Sequence, residues 1–254
     1  MVRVAVSGAA GNIGSTAVEA FQNGKYDVTP ITHREHEGMD SVVLNVEDRD
    51  AFVEALAGHD AVVDLAGRAD PTASWEDVLR TNIEGTYSAF EAALVNDLDR
   101  LVFASSNHFH GMINIDESDR PETLTATPQA VYPDDPMRPD SYYGVSKVTG
   151  EALGSYYADR HGLEVVNLRI GWFLTEAELE ERLSESENVA RFARAIWLSP
   201  RDCRHAVRRA VEASLPENPL SVNLTSDNER RYFSLARTIN SLGYHPEDDS
   251  SSVV

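Results

Sequence analysis

The stretch YGVSK at residues 143–147 places a tyrosine and a lysine four positions apart. On a helix, side chains at positions i and i+4 lie on one face, so Tyr143 and Lys147 would point the same way. A tyrosine has an ordinary pKa of about 10, and a neighbouring ammonium favours its phenolate form. The pair has the composition of a general base and its activator, but the spacing alone also occurs in helices by chance.

A second group of polar residues ends an apolar segment, RLVFASSN at residues 100–107. If this segment is a strand, Ser106 and Asn107 lie at its carboxyl end, where open α/β sheets place their ligands. Beside Tyr143, the Ser106 hydroxyl would donate a hydrogen bond to a reacting oxygen. Tyr143 would remove a hydroxyl proton while hydride leaves carbon for a nicotinamide. A hydrolase nucleophile is not supported, because no GxSxG motif surrounds Ser106.

A glycine-rich segment, GAAGNIG, follows the first apolar run, VRVAVSG. Its glycines, Gly8, Gly11 and Gly14, have a spacing that is a variant of the dinucleotide fingerprint, in which glycines allow a sharp turn and close approach to a pyrophosphate. We predict that this loop, including Asn12 and Ile13, binds a dinucleotide at the amino end of the following helix.

The end of the next apolar run, YDVTPITH, indicates which dinucleotide is used. NAD-binding proteins normally carry an acid here for the ribose 2′-hydroxyl, whereas this chain has His33 and Arg34. A basic group suits a 2′-phosphate, which favours NADP. The alternative is that Glu35 or a backbone group serves NAD, with Arg34 on the surface.

Apolar β-type segments alternate with helical segments through residue 171, which predicts parallel βαβ units. The fold class is therefore α/β, a Rossmann-type doubly wound parallel sheet. We predict one domain over residues 1–254, with a dinucleotide-binding core at 1–171. Residues 172–254, where the alternation loosens, are predicted to form a small C-terminal substrate cap.

The net charge of −20 excludes nucleic acid and anionic membranes as partners, because both require basic side chains. An ordinary acidic protein, a surface for a basic partner and adaptation to molar salt are the three explanations. Adaptation to molar salt is favoured because the chain has only two lysines and its carboxylates are scattered. In strong salt, electrostatic repulsion between such carboxylates acts only over a short range. One cysteine excludes an internal disulfide, and no metal cluster is expected. Without a long apolar segment, the protein is predicted to be cytoplasmic.

Six motifs together resemble the extended short-chain dehydrogenase/reductase family: GAAGNIG, DLAG (64–67), TNIEGT (81–86), FASSN (103–107), YGVSK and SLGYHPED (241–248). The resemblance implies catalytic roles for Ser106, Tyr143 and Lys147. It also implies that Asn45 and Val46 flank the adenine, that Leu65, Ala66, Gly67 and Ile170 line the cofactor path, and that Asn82 supports the site. The family usually has histidine where this chain has Asp64.

Further segments, FASSNH, RPDSYYGVSKVTGE, NLRIG and AIWLSPRDC, are similar to the uronate dehydrogenase-like branch, which oxidises the anomeric carbon of a sugar to a lactone. The resemblance implies that Asn107 and His108 contact sugar hydroxyls. Two departures involve Ala69, where the branch has a substrate-binding serine, and Phe192, where it has a carboxylate-binding arginine. The predicted substrates are thus aldoses, uronates or sugar phosphates, and Arg68, Arg191 and Arg194 are the candidates for binding an anionic group. Arg169, at the end of a predicted strand, is a candidate for either a structural or a substrate-binding role.

The predicted enzyme is an NAD(P)-dependent sugar 1-dehydrogenase. The alternatives are a nucleotide-sugar epimerase or dehydratase with bound NAD, and a non-catalytic dinucleotide sensor. The short cap argues against the former, and the intact Ser106–Tyr143–Lys147 set argues against the latter. By resemblance, a homo-oligomer that pairs through the helices after the fourth and fifth strands is expected.

Overall fold

Seven parallel strands form the central sheet of a computed structural model that describes residues 1–22 and 24–253. The strands of the chain are β1 (Val2–Ser7), β2 (Tyr26–Thr32), β3 (Val42–Val43), β4 (Ala61–Asp64), β5 (Arg100–Ser106), β6 (Glu164–Ile170), β7 (Trp172–Phe173), β8 (Trp197–Leu198) and β9 (Leu220–Leu224). The spatial order of the central sheet is β3-β2-β1-β4-β5-β6-β9. The order reverses between β1 and β4, and this switch point opens a crevice at the carboxyl ends of the two strands.

Helices cover both faces of the sheet. They are α1 (Asn12–Ala20), α2 (Arg49–Ala55), α3 (Trp75–Val78), α4 (Gly85–Val95), α5 (Tyr142–His161), α6 (Glu176–Leu183), α7 (Glu187–Ile196), α8 (Pro200–Glu212) and α9 (Ala236–Leu242). Helix α1 packs beside α8, whereas α2, α4 and α5 pack in a row on the other face. A π-helical turn, Leu79–Glu84, joins α3 to α4, so the chain from α3 to α4 is one continuous helix with a local widening.

The core explains why the central strands are apolar almost throughout. On one face, alternate strand residues such as Val6, Val63 and Leu168 pack against α1 and α8. On the other, residues such as Val62 and Phe103 pack against α2, α4 and α5. A parallel sheet covered on both faces buries both sets of side chains. The predicted Rossmann-type α/β class is confirmed.

The part of the chain after residue 171 contributes to two layers. Strand β9 extends the central sheet by pairing with β6, and helix α8 packs on one face of the sheet beside α1. Helices α6 and α7 pack together beside a small parallel pair, β7 and β8, which the sequence pattern did not reveal. In residues 1–22 and 24–253, no helix combines the length and the apolar character needed to span a membrane.

Candidate active site

The glycine loop lies at the switch point and has the shape of a phosphate cradle. Gly8 has a φ of 64°, which favours glycine. A Cβ on Gly14 would lie 2.0 Å from the Gly8 carbonyl oxygen, so the loop and α1 approach too closely for any side chain. The N–H groups of Asn12, Ile13 and Gly14 have no acceptor among the described residues. Free N–H groups at the start of a helix suit the negative phosphates of a dinucleotide.

Helix α5 brings the tyrosine and lysine into one buried location. Ser141 caps the helix by accepting a hydrogen bond from the Gly144 N–H at 3.0 Å. A Cβ on Gly144 would lie 2.6 Å from the His108 carbonyl oxygen, so the first turn packs tightly on the backbone after β5. Tyr143 and Lys147 are 9% and 6% exposed, and the Lys147 ammonium nitrogen lies 5.5 Å from the centre of the Tyr143 ring.

Electrostatics around this couple depend on burial. Burial raises the pKa of Tyr143 to about 12, although a hydrogen bond with the Ser106 side chain acts in the opposite direction. Burial lowers the pKa of Lys147 to about 8, with the Asp64 carboxylate partly opposing the shift. Desolvation also raises the pKa of Asp64 to about 6. Each group therefore has its charged form destabilised in the dry interior.

Asp64 is fixed from the glycine-loop side of the crevice. The Ser7 hydroxyl donates to its Oδ1 at 2.5 Å, and the same hydroxyl oxygen accepts the N–H groups of Leu65 and Ala66, each at 3.0 Å. Oδ2 of Asp64 is buried without a hydrogen-bond partner. The family's usual histidine is thus replaced by a carboxylate whose field acts on Lys147.

The turn after β5 presents Ser106, Asn107 and His108 to the same crevice. All three residues are buried. Nδ1 of His108 lies 2.9 Å from the carboxylate of Asp140, which is fully buried. Because a carboxylate accepts hydrogen bonds, Nδ1 carries a proton and Nε2 is left for a ligand. The His108 ring meets the Tyr143 ring edge-on at 5.4 Å between centroids.

These groups line one cavity of about 370 Å³, which runs from the glycine loop to β7 and α7. The predicted site residues that line it are Gly8, Gly11, Asn12, Ile13, Gly14, Leu65, Gly67, Ser106, Asn107, His108, Tyr143, Lys147 and Ile170. A volume of this order suits a small ligand. The structure therefore brings the three predicted catalytic residues and most of the predicted cofactor contacts together.

Asn82 lies behind the cavity wall rather than in it. Its Oδ1 accepts the Arg68 N–H at 2.7 Å, and its Nδ2 donates to the Arg68 carbonyl and to the Ser146 hydroxyl. Asn82 thereby joins the loop after β4 to helix α5. Its position in the π-helical turn aims the side chain at this loop, as π-bulges often do at functional sites. Ala66 is also behind the wall, where its N–H binds Ser7.

The residues predicted to contact the adenine and its ribose lie on the open side of the sheet. His33 and Arg34 follow β2 and are exposed, and Asn45 is exposed after β3. Val46 packs against the start of α4, where a Cβ on Gly85 would come within 2.8 Å of it. None of these four residues lines the cavity.

The four candidate arginines have other partners and do not line the cavity. Arg169 forms a bidentate ion pair with Glu151, with both distances 2.8 Å, and stacks on the Phe109 ring. Arg68 is half-exposed and pairs with Asp70. Arg191 donates to the Leu124 carbonyl, and Arg194 donates to the Ser250 carbonyl at 3.2 Å.

Other residues line the cavity without having been predicted to do so. The structure adds Glu122, Trp172 and Phe173, and it places Ala69 and Phe192 in the wall. Trp172 and Phe192 form an aromatic pair with centroids 5.6 Å apart. Glu122 lies in an irregular loop without a motif, so its sequence context carried no signal.

A crevice at the switch point, with free helix N–H groups at one end and a tyrosine–lysine couple at the other, is typical of dinucleotide-dependent oxidoreductases. The profile of the NAD dependent epimerase/dehydratase family matches residues 4–197, and the chain belongs to that family. The predicted family is thus confirmed.

Several proteins of known activity are similar to this chain. L-arabinose 1-dehydrogenase (NAD(P)(+)) of Haloferax volcanii is 61% identical over 254 residues, which cover the whole of both chains. NAD-dependent glucose-6-phosphate dehydrogenase of the same organism is 35% identical over 98% of this chain and 94% of the relative. A solved structure of a mutant uronate dehydrogenase from Agrobacterium tumefaciens complexed with NAD has a TM-score of 0.81 at 26% identity, covering 99% of this chain and 87% of that one.

Proposed function

We propose that the protein oxidises the anomeric carbon of a neutral aldose to a lactone with NAD or NADP, and that L-arabinose is a substrate. A neutral sugar is favoured by the composition of the cavity wall. In the described part of the chain this wall contains Phe192 and Glu122 and no arginine. The 61% identical L-arabinose 1-dehydrogenase (NAD(P)(+)) supports both the sugar and the oxidation at C1.

The residues present fit a dinucleotide. The tight contact of Gly14 with Gly8 and the free N–H groups of α1 leave a cradle that a pyrophosphate would fill. When bound, NAD(P)⁺ supplies the acceptor for the hydride that leaves C1 of the sugar. Ile170 and Leu65 contribute apolar surface to the cavity that the glycine loop and Tyr143 share.

Tyr143 accepts the proton of the C1 hydroxyl in this proposal. Because burial raises its pKa to about 12, the phenolate must be stabilised by neighbours during turnover. The Ser106 hydroxyl lowers the pKa of Tyr143 through a hydrogen bond. The Lys147 ammonium, 5.5 Å from the centre of the Tyr143 ring, is the cation that would favour the phenolate during turnover. Ser106 also orients the sugar oxygen, and the proton ends on the Tyr143 oxygen as the C1–O bond gains double-bond character.

Asn107 and His108 hold the sugar. Both are buried in the cavity wall with Tyr143. Nε2 of His108 forms a hydrogen bond with a sugar hydroxyl, because Nδ1 is already bound to Asp140. Trp172 and Phe192 offer apolar faces for the C–H groups of the ring. This division of polar and apolar contacts is typical of small-molecule sites.

Anionic substrates fit the wall poorly. A uronate or sugar phosphate needs a cation to replace lost hydration, because a buried unpaired charge is strongly unfavourable. Lys147 is occupied at the reacting end, and the four candidate arginines lie outside the cavity. The 35% identical glucose-6-phosphate dehydrogenase thus differs from this protein in its proposed substrate class.

The experiment is a substrate panel in molar KCl with NAD⁺ or NADP⁺, followed by reduced-cofactor absorbance and identification of the lactone. We expect L-arabinose to be oxidised, with uronates and glucose 6-phosphate much weaker. Preferential oxidation of an anionic sugar would contradict the proposal. Purified protein that retains NAD and converts a nucleotide sugar without net reduction would support the epimerase alternative.

We also propose a cytoplasmic homodimer. The exposed aromatic side chains Tyr87 and Tyr156 lie on α4 and α5, the helices through which the family resemblance implies pairing. Light scattering in molar KCl distinguishes a dimer from a monomer.

A further inference from the structure

Among the described residues that line the cavity, Glu122 is the one acid. Glu122 lines the same cavity as Trp172 and Phe192. No described residue donates a hydrogen bond to its carboxylate. Desolvation raises its pKa. A partly buried carboxylate in a cavity wall without a donor from the protein is free to accept hydrogen bonds from a ligand.

The loop that carries Glu122 is fixed on its carboxyl side. The Thr123 hydroxyl donates to the Arg120 carbonyl at 2.8 Å and accepts the Glu117 N–H at 3.1 Å. The Leu124 N–H donates to the Asn188 carbonyl, and the Leu124 carbonyl accepts the Arg191 guanidinium at 3.0 Å. Arg191 therefore anchors the backbone beside Glu122, and the carboxylate is presented from a defined position.

The nearby charges do not neutralise Glu122. The groups that act on it are His108, Arg182, Glu185 and Asp140. Arg182 donates to Glu185 at 2.7 Å and lies over the Trp172 ring, so its guanidinium is already engaged. His108 is bound through Nδ1 to Asp140. Because Arg182 and Glu185 at the carboxyl end of α6 both act on Glu122, its carboxylate lies near this end of α6.

We infer that Glu122 is a specificity-determining residue that accepts hydrogen bonds from sugar hydroxyls remote from C1 and excludes sugars carrying a carboxylate or phosphate there. This inference rests on the proposed function. A hydroxyl supplies the donor that the carboxylate lacks, whereas an anionic group supplies a like charge and no donor. Salt at about 1 M screens exposed charges beyond about 3 Å, but it screens partly buried charges much less.

Four sugars isolate this contact: L-arabinose, D-fucose, D-galactose and D-galacturonate. Their ring hydroxyls have the same configuration at carbons 2 to 4, and carbon 5 carries hydrogen, methyl, hydroxymethyl or carboxylate, respectively. We would measure kcat/KM for each with wild type, Glu122→Gln and Glu122→Asp. Glu185→Gln is the matched control, because it removes one nearby negative charge that does not line the cavity.

In Glu122→Gln we expect kcat/KM for L-arabinose to fall roughly tenfold, because an amide accepts weaker hydrogen bonds than a carboxylate. The ratio of kcat/KM for D-galacturonate to that for D-fucose should rise about tenfold or more. Glu122→Asp keeps the charge, so L-arabinose should be used less well while D-galacturonate stays excluded. Glu185→Gln should leave the ratio unchanged, as should the Kd for NAD(P)⁺ in every variant.

Two failures are distinguishable. If wild type oxidises none of the four sugars, the proposed function is wrong. If wild type oxidises the neutral sugars but Glu122→Gln keeps the same ratio, the assignment of Glu122 alone is wrong. If Glu122→Gln and Glu122→Asp have the same ratio of kcat/KM for D-galacturonate to that for D-fucose, and both have lowered thermal stability, then Glu122 serves the stability of the fold and the inference is wrong.

Discussion

The ammonium nitrogen of Lys147 lies 5.5 Å from the centre of the Tyr143 ring and 5.0 Å from the centre of the Phe103 ring. Between two aromatic faces and near Asp64, a compact ammonium fits where a branched guanidinium would need more space and more acceptors. The sequence has only one other lysine, at position 25, while arginine supplies its other cationic side chains. The retention of lysine at 147 is therefore explained by the space and charge around it.

Replacing Tyr143 by phenylalanine tests the proposed base. We expect kcat for L-arabinose to fall by roughly 10²- to 10⁴-fold, because general base catalysis contributes that range. The Kd for NAD(P)⁺, measured by fluorescence, should change little. Tyr142→Phe is the control, since Tyr142 is 55% exposed on the same helix turn. Activity of Tyr143→Phe close to that of the control would assign the base elsewhere.

Replacing Asp64 by asparagine tests the electrostatic support of Lys147. Burial lowers the pKa of Lys147 to about 8, and the Asp64 carboxylate keeps this pKa from falling further because it favours the ammonium form. Asp64 has a pKa of about 6, so it is mostly ionised when Lys147 titrates. Without that charge the pKa of Lys147 falls further, so Lys147 loses its proton at lower pH. We expect the alkaline decline of kcat/KM to begin at lower pH in Asp64→Asn than in wild type.

The matched control for that profile is Asp60→Asn, which changes an acid just before the same strand. The control should keep the alkaline decline of wild type. If the alkaline decline of kcat/KM in Asp64→Asn begins at the same pH as in wild type and Asp60→Asn, the Asp64 carboxylate does not act on Lys147.

The parts of the site that sequence could predict are local. Gly8, Gly11 and Gly14 have their roles within one turn, and the Tyr143–Lys147 spacing has its meaning within one helix. Their position at the ends of β1 and β5 followed from alternating segments, because parallel strands place their carboxyl ends at one edge of a sheet. The family and the Rossmann-type fold were predicted on this basis and are confirmed.

The remaining features depend on contacts between distant segments. Glu122 enters the cavity because Leu124 is bound by Asn188 and Arg191, more than sixty residues away in sequence. Arg169 is drawn from the cavity by Glu151, which faces it from α5. Strand β9 rejoins the sheet after three helices, α6, α7 and α8. Neither hydrophobic periodicity nor residue spacing reports such long-range pairing.

Replacing Gly14 by alanine tests the phosphate cradle. The added Cβ would approach the Gly8 carbonyl oxygen to 2.0 Å, so the loop must move away from its position. Overpacking of this kind costs about 1–3 kcal/mol, and we expect the Kd for NAD(P)⁺ to rise at least about tenfold. Isothermal titration calorimetry measures the change.

Gly162→Ala is the control for the cost of strain. Gly162 has a φ of 77° in open space at the far end of α5. Its replacement should lower the melting temperature by distorting a left-handed residue while leaving the Kd for NAD(P)⁺ unchanged. A Kd in Gly14→Ala equal to that in this control would show that the dinucleotide does not approach the loop.

Replacing Arg34 by alanine tests the predicted preference for NADP. Arg34 is exposed just beyond β2, where a 2′-phosphate would lie. Loss of a charged hydrogen bond should raise KM for NADP⁺ by roughly tenfold and leave KM for NAD⁺ nearly unchanged. Arg49→Ala is the control, because Arg49 is exposed and pairs with its neighbour Asp50. Equal effects on both dinucleotides would contradict a role for Arg34 in phosphate recognition.

The net charge of −20 predicts that stability rises with salt. At low ionic strength the Debye length of about 8–10 Å lets neighbouring carboxylates repel one another, whereas about 1 M salt shortens it to about 3 Å. Helix α6 is a local example, because Glu176, Glu180 and Glu181 are all exposed on its surface. We expect the melting temperature to rise steadily from about 0.2 M to about 2 M KCl. A variant with glutamine at these three positions should have a higher melting temperature than wild type at low salt and nearly the same melting temperature at high salt. The melting temperature of this variant should therefore depend less on KCl than that of wild type. A melting temperature that is flat or falls with KCl in wild type would exclude charge repulsion as the cause of its salt requirement.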